Sequence, residues 1–176
     1  MRVDILDYDD TARMADRLRG QYRLIWLIGV STGLRISDIL QLKARQCCAA
    51  KAYIQERKTG KNRAVYMRKN IRAECGAYAK EHGISANGKM FTVSRVSVWK
   101  AFKRAARKEK ICRNVGTHTM RKSYSVAYMA KGHNIQDLQK RLNHSHLGDT
   151  LGYITTNEQL GLDEQGKKKA RRKNKK

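Results

Sequence analysis

The sequence predicts an α+β chain that is mainly α-helical, with one small antiparallel sheet. Two observations lead there. Apolar residues recur at helical spacing through most of the 176 residues, and one stretch, 52–67, reads instead as two short arms around a polar turn. There is no proline, no internal repeat and no Gly/Ser-rich linker, so no domain boundary is expected before the basic end of the chain. The expected division is a folded domain over 1–157 and a C-terminal segment, 158–176, ending in a disordered basic tail.

Each element has its own signal. "DDTARMADRLRG" (9–20) opens with acidic residues that suit a helix N-terminus, followed by apolar residues at helical spacing. "QYRLIWLIGVST" (21–32) is apolar on nearly all sides and predicts a buried helix. Gly33 interrupts it, and "RISDILQLK" (35–43) begins a new turn with Ile36, Ile39 and Leu40 on one face. In the hairpin candidate "AYIQERKTGKNRAVYM" (52–67), Tyr53, Ile54, Val65 and Tyr66 form the arms and Thr-Gly-Lys-Asn the turn. Helices follow over 71–83, ending at a glycine, and over 94–110, capped by Ser94 with Val98 and Phe102 inward. A helix over 117–132 is expected to be capped by Thr117 and closed by Gly132. The last, 134–143, carries Ile135, Leu138 and Leu142 on one face, and a short apolar segment covers 146–154.

A chain of this length buries about 70% of its unfolded surface. Its longest apolar run, "LIWLIGV", is too short to cross a bilayer, and no signal peptide is evident. Cys47, Cys48, Cys75 and Cys112 lack disulfide or metal-ligand spacing, so they read as reduced, mostly buried residues of a cytoplasmic protein. Charge is the strongest compositional feature. Thirty-nine Lys and Arg against fifteen Asp and Glu give a net +24, and eight of the cations lie in the last ten residues, "KKKARRKNKK". The remainder still carries +16, spread through the folded part. A field of that kind attracts a polyanion, so nucleic acid is the expected partner. Composition alone does not separate an enzyme from a packaging or ribosomal protein.

Four places carry candidate chemistry. Arg35 follows "STGL" at the break between two helices, where Gly33 lets the backbone turn. Lys58 sits near the hairpin tip, with Lys61 and Arg63 close by. His118 and Arg121, in "GTHTMRKSYSVAYM", lie one helical turn apart and can hold one anion between them. His144 precedes Tyr153 by nine residues in "RLNHSHLGDTLGYI". Tyr124 and Tyr128 share the Arg121 helix at spacings that mark them as packing residues, and His82, His133 and His146 read as surface or supporting residues.

In order and spacing this set resembles the catalytic domain of the tyrosine recombinases, the phage-integrase family. The matching pieces are "TGLRISD" (32–38), "ERKTGKNR" (56–63), "HTMR" (118–121), and His144 with Tyr153. The resemblance runs from about residue 4 to 157 and implies that family's fold, with double-stranded DNA as substrate. It also implies a monomer in solution that forms a homotetramer on DNA, accessory DNA-bending proteins, a nucleoid-associated bacterial or phage-like setting, and no cofactor or metal. Arg35 and Arg121 would clamp the non-bridging oxygens of the scissile phosphate, with His144 adding a hydrogen bond. His118 would help take the proton from the nucleophile, Lys58 would protonate the departing 5′-oxygen, and Tyr153 would attack phosphorus to form a 3′-phosphotyrosine. Lys61, Arg63 and Lys122, together with Lys167, Lys168, Lys169, Arg171 and Arg172 of the tail, are the expected contacts to the DNA backbone.

The sequence departs from the family pattern in three ways. Asn143 stands where the family usually has glycine, and Lys122 where it usually has histidine. The chain also begins almost where the catalytic domain should begin, as in a fragment or in the short single-domain members such as the fimbrial phase-switch invertases. Asp38 takes the acidic position after the first arginine and is expected to orient Arg35 or His118. Two other functions fit the same residues: a type IB topoisomerase-like enzyme, and a non-catalytic DNA-binding regulator on this fold.

Overall fold

The structure is a computed structural model that describes residues 3–57 and 59–143. Among them the chain forms eight helices and one hairpin. Helix α1 (Tyr8–Arg17) is capped by the Asp7 carboxylate, which accepts from the Asp10 amide at 2.8 Å. Asp9 and Asp10 lie in its first turn and Arg17 in its last, so the side chains oppose the helix dipole at both ends. Helix α2 (Gly20–Thr32) is the centre of the fold and packs against α1, α7 (Thr117–Met129) and α5 (Lys69–Glu81). Its Leu24, Ile25, Trp26 and Ile28 are buried, as the all-round apolar pattern requires.

Trp26 meets Phe102 of α6 (Arg95–Lys108) edge to face, with ring centroids 5.0 Å apart. Its indole N–H donates to the Thr11 carbonyl oxygen at 3.1 Å, so this buried polar group is satisfied. Met120 of α7 lies over Gly29 of α2, where any larger side chain would hold the two helices apart.

The short helices α3 (Ile36–Ile39) and α4 (Ala44–Cys48) follow α2, and α4 packs on α5. No sequence pattern marks α4, because five residues are too few to establish a period. Strands β1 (Lys51–Gln55) and β2 (Asn62–Tyr66) pair antiparallel, with Lys51 opposite Tyr66 and Gln55 opposite Asn62. Ala52 and Ile54 face the core, while Lys51, Tyr53 and Gln55 face outward. The expected start of α7 is corrected by one residue. Gly116 is the cap, its amide donates to Thr119 Oγ1 at 3.1 Å, and Thr117 is the first helical residue.

Helix α8 (Ile135–Leu142) buries Leu138 and Leu142 and stops at Asn143, which adopts the left-handed conformation. All four cysteines are free thiols; Cys47 and Cys75 are buried, Cys48 is half-buried and Cys112 is exposed. Among the described residues no helix is long and apolar enough to cross a membrane.

Candidate DNA-cleavage site

The C-terminus of α2 organises the site. A helix end leaves carbonyl oxygens without intrahelical partners and carries partial negative charge. Two arginines answer it from different elements. Arg63 of β2 donates through Nη2 to Thr32 O at 2.7 Å, and Arg121 of α7 donates through Nη1 to Gly33 O at 2.7 Å.

Gly33 has φ +66°, and an added Cβ would lie 2.5 Å from the Tyr124 ring. Glycine is therefore required there both for backbone conformation and for space. The chain leaves this turn in extended conformation at Arg35, at the start of α3.

Arg121 is almost wholly buried, at 2% exposure. Its Nη2 donates to Leu142 O at 2.6 Å, so one guanidinium bridges the C-termini of α2 and α8. These two bonds fix its plane before any substrate arrives. Arg35 is more open, with its side chain 16% exposed, and its Nη1 donates to Glu56 Oε2 at 2.9 Å.

Glu56 itself is fully buried just past the end of β1. Its Oε2 also accepts from Asn143 Nδ2 at 3.0 Å and from Thr59 Oγ1 at 3.1 Å, and Arg63 Nη1 stands 3.5 Å from its Oε1. The contacts close into a ring: Arg121 to Gly33, along the turn to Arg35, to Glu56, to Asn143, to the adjacent Leu142, and back to Arg121.

His118 lies on the first turn of α7 and is exposed on one side. Partial burial of the imidazole, and then the cations Arg95, Arg121, Lys122 and Arg35, lower its pKa below the ordinary histidine value. Near neutral pH the ring is therefore neutral and able to accept a proton. That state suits a base beside a nucleophile.

His118 and Arg121 lie one turn apart on α7, as their spacing suggested, and Arg35 acts on His118 from the start of α3. Lys61 is exposed in the hairpin loop, where it can reach a polyanion. Lys58, His144, Tyr153 and the tail cations Lys167, Lys168, Lys169, Arg171 and Arg172 lie outside the described residues.

Three expectations are corrected. Arg63 does not offer its charge to the surface: its side chain is 10% exposed, held by Thr32 and Glu56, and desolvation lowers its pKa. Lys122 is buried as well, and its ammonium donates to Val3 O at 2.7 Å, tying the first described residues to α7. Asp38 orients neither Arg35 nor His118. Its Oδ1 instead accepts from the Arg57 amide at 3.1 Å, and the carboxylate steadies the start of the hairpin loop.

Tyr124 and Tyr128 pack as expected, with ring centroids 5.9 Å apart and the Tyr128 hydroxyl accepting from Arg141 Nε at 2.9 Å. Sequence reasoning missed Glu56, although a signal was present. Ala52, Ile54 and Glu56 continue one alternating inward face, so a carboxylate was due on the apolar side and had to meet cations there.

A sequence model of the phage integrase family matches residues 3–159. A probable integrase/recombinase of Bacillus subtilis, YoeC, is 28% identical over 148 residues, covering 80% of this chain and 77% of that protein. Tyrosine recombinase XerA of Pyrococcus horikoshii is 28% identical over 155 residues, 81% of this chain and 53% of that one. The fold superposes on the XerH site-specific recombinase, solved with its difH substrate before cleavage, with a TM-score of 0.73 at 20% identity. That match covers 85% of this chain and 49% of XerH, so the chain spans about half the length of XerA and XerH and about three quarters of YoeC. The family model spans all of the described residues, and the fold is that of the solved recombinases: the chain belongs to the phage integrase family, the tyrosine-type site-specific recombinases.

Proposed function

We propose that this chain cleaves and rejoins double-stranded DNA at specific sites through a 3′-phosphotyrosyl intermediate, serving integration, excision or inversion. The observation that carries this reading is the fixed pair of guanidiniums, Arg121 and Arg35, set around one turn, with His118 one helical turn from Arg121 on α7.

The transition state of phosphoryl transfer gathers negative charge on the non-bridging oxygens. Cations already held in place stabilise that charge without reorganising. In the reaction, Tyr153 Oη attacks phosphorus while His118 helps remove its proton, and His144 donates a hydrogen bond to a phosphate oxygen. The bond to the 5′-oxygen breaks, and Lys58 delivers a proton to it. Attack by a 5′-hydroxyl on the phosphotyrosine reverses the step and releases Tyr153, so the backbone bond is re-formed without a cofactor.

DNA as the partner is supported by the net +24 charge and by lambda integrase, whose fold this chain shares, having been solved bound to DNA. The protein is a monomer in solution that assembles into a tetramer on two duplexes, and accessory proteins bend the DNA. Incubation with supercoiled plasmids carrying target sites selected from a random library tests this reading. Recombinant products support it. Relaxed circles without recombinants favour the topoisomerase-like alternative, and binding with no strand breakage favours a regulator.

A further inference from the structure

We propose that Glu56 is a positioning residue for DNA cleavage, setting the Arg35 guanidinium and joining the hairpin loop to the end of α8. The inference rests on the recombinase reading above.

A carboxylate with no solvent exposure is strongly unfavourable unless cations and hydrogen-bond donors surround it. Glu56 has both. Oε2 accepts from Arg35 Nη1 at 2.9 Å, Asn143 Nδ2 at 3.0 Å and Thr59 Oγ1 at 3.1 Å, while Oε1 faces Arg63 at 3.5 Å. Arg63 in turn is tied to Thr32 at the end of α2, so the carboxylate is backed by a largely buried cation that is itself held in place.

The position of these partners in the chain gives Glu56 its role. Thr59 and Glu56 flank Lys58 in the hairpin loop, and Asn143 immediately precedes His144. One carboxylate therefore gathers the neighbours in sequence of two groups expected to act on the phosphate, and also holds a third, Arg35. Only one nitrogen of the Arg35 fork is engaged by Glu56, and a guanidinium has five N–H donors, so the same side chain can present another edge to a phosphate oxygen.

Asn143 makes the link possible. At φ 53° and ψ 42° it keeps the left-handed conformation that a glycine adopts readily, while its amide reaches across to Glu56 and Thr59. A glycine at this position would close α8 equally well and would make no such link. Asp38 adds a second restraint, holding the Arg57 amide next to Glu56.

Cleavage is sensitive to small displacements of positioned groups, with losses of about 100-fold for shifts near 1 Å. The test measures single-turnover cleavage of a nicked duplex at saturating protein, DNA affinity by fluorescence anisotropy, and the melting temperature, for wild type, Glu56→Gln, Glu56→Asp, Asn143→Gly and Glu56→Gln with Asn143→Gly. Glu56→Gln is expected to lower the cleavage rate of the bound complex by about 10-fold or more while affinity changes by less than about 3-fold. Glu56→Asp, which keeps the charge, should recover part of that loss. Asn143→Gly should slow cleavage by itself and add nothing in the Glu56→Gln background, because both break one linkage.

Wild-type cleavage by Glu56→Gln overturns the proposal. So does a rate loss that merely follows lost binding or a lost fold, or full additivity of the two substitutions. Should Glu56→Gln fail to fold, Asn143→Gly decides alone, and an unchanged rate overturns the linkage. Absence of a covalent complex with wild-type protein would sink the recombinase reading itself, a result distinct from all of these.

Discussion

Arg121 donates through Nη1 to the carbonyl oxygen of Gly33 at 2.7 Å, which fastens the buried guanidinium of the site to the turn two residues before Arg35. The two arginines are therefore parts of one assembly, built on the negative end of α2. Whatever moves that turn moves both.

Gly33→Ala tests this directly. Alanine at φ +66° is strained, and its methyl group would meet the Tyr124 ring, so a loss of about 1–3 kcal/mol of stability is expected. Cleavage should fall further than stability explains, since Arg35 and Arg121 would lose their common support. Urea unfolding together with cleavage rates measured well below the melting temperature separates the two effects.

The longer helices were legible because their apolar spacing is regular, and the hairpin because two arms flank a polar Thr-Gly-Lys-Asn stretch, of which Asn62 opens β2. Arg35, His118 and Arg121 were legible from their local motifs. What holds them was not. Arg121 reaches the carbonyls of Gly33 and Leu142, which lie 88 and 21 residues away, and no local pattern specifies such bonds. Arg63 and Lys122 look in sequence like any other cations of a basic chain, yet tertiary packing buries both. Glu56 sits among cations in "ERKTGKNR" and resembles a solvated acid until the strand alternation is followed one residue past β1.

His118 offers a test by titration. Burial and four neighbouring cations lower its pKa, so its imidazole resonances in free protein should titrate with a midpoint below the usual value of about 6.5. Folding that lowers a histidine pKa adds stability in full above the unfolded value, and that contribution is lost as pH falls below it. Between pH 7.5 and 5.5, wild-type protein should therefore lose more stability than His118→Gln. Equal losses, or a midpoint above 6.5, would contradict the site geometry.

Lys58 is tested as a general acid. Lys58→Ala should slow cleavage of ordinary DNA by roughly 10²–10⁴-fold. A substrate with sulfur in place of the bridging 5′-oxygen needs no proton, because a thiolate leaves readily, so the variant should regain most of its rate on it. Arg35→Ala and Arg121→Ala should show no such rescue. Rescue of Lys61→Ala in place of Lys58→Ala would move the acid to Lys61, the exposed lysine of the same loop.

The tail is tested by salt. Deleting 167–176 removes eight cations, and binding to all sequences should weaken alike while the dependence of log affinity on log salt becomes flatter. An unchanged slope would mean that these residues do not meet phosphate.

The covalent intermediate is the central claim, and peptide mapping of the trapped complex tests it most directly. Nicked duplexes that lose the cleaved 5′ fragment should accumulate protein joined to the 3′ end of the break, with the modified peptide containing Tyr153. Tyr153→Phe should abolish the adduct and leave binding nearly intact, since only one hydroxyl is removed. An adduct on Tyr124 or Tyr128, or an undiminished adduct in Tyr153→Phe, would contradict the account.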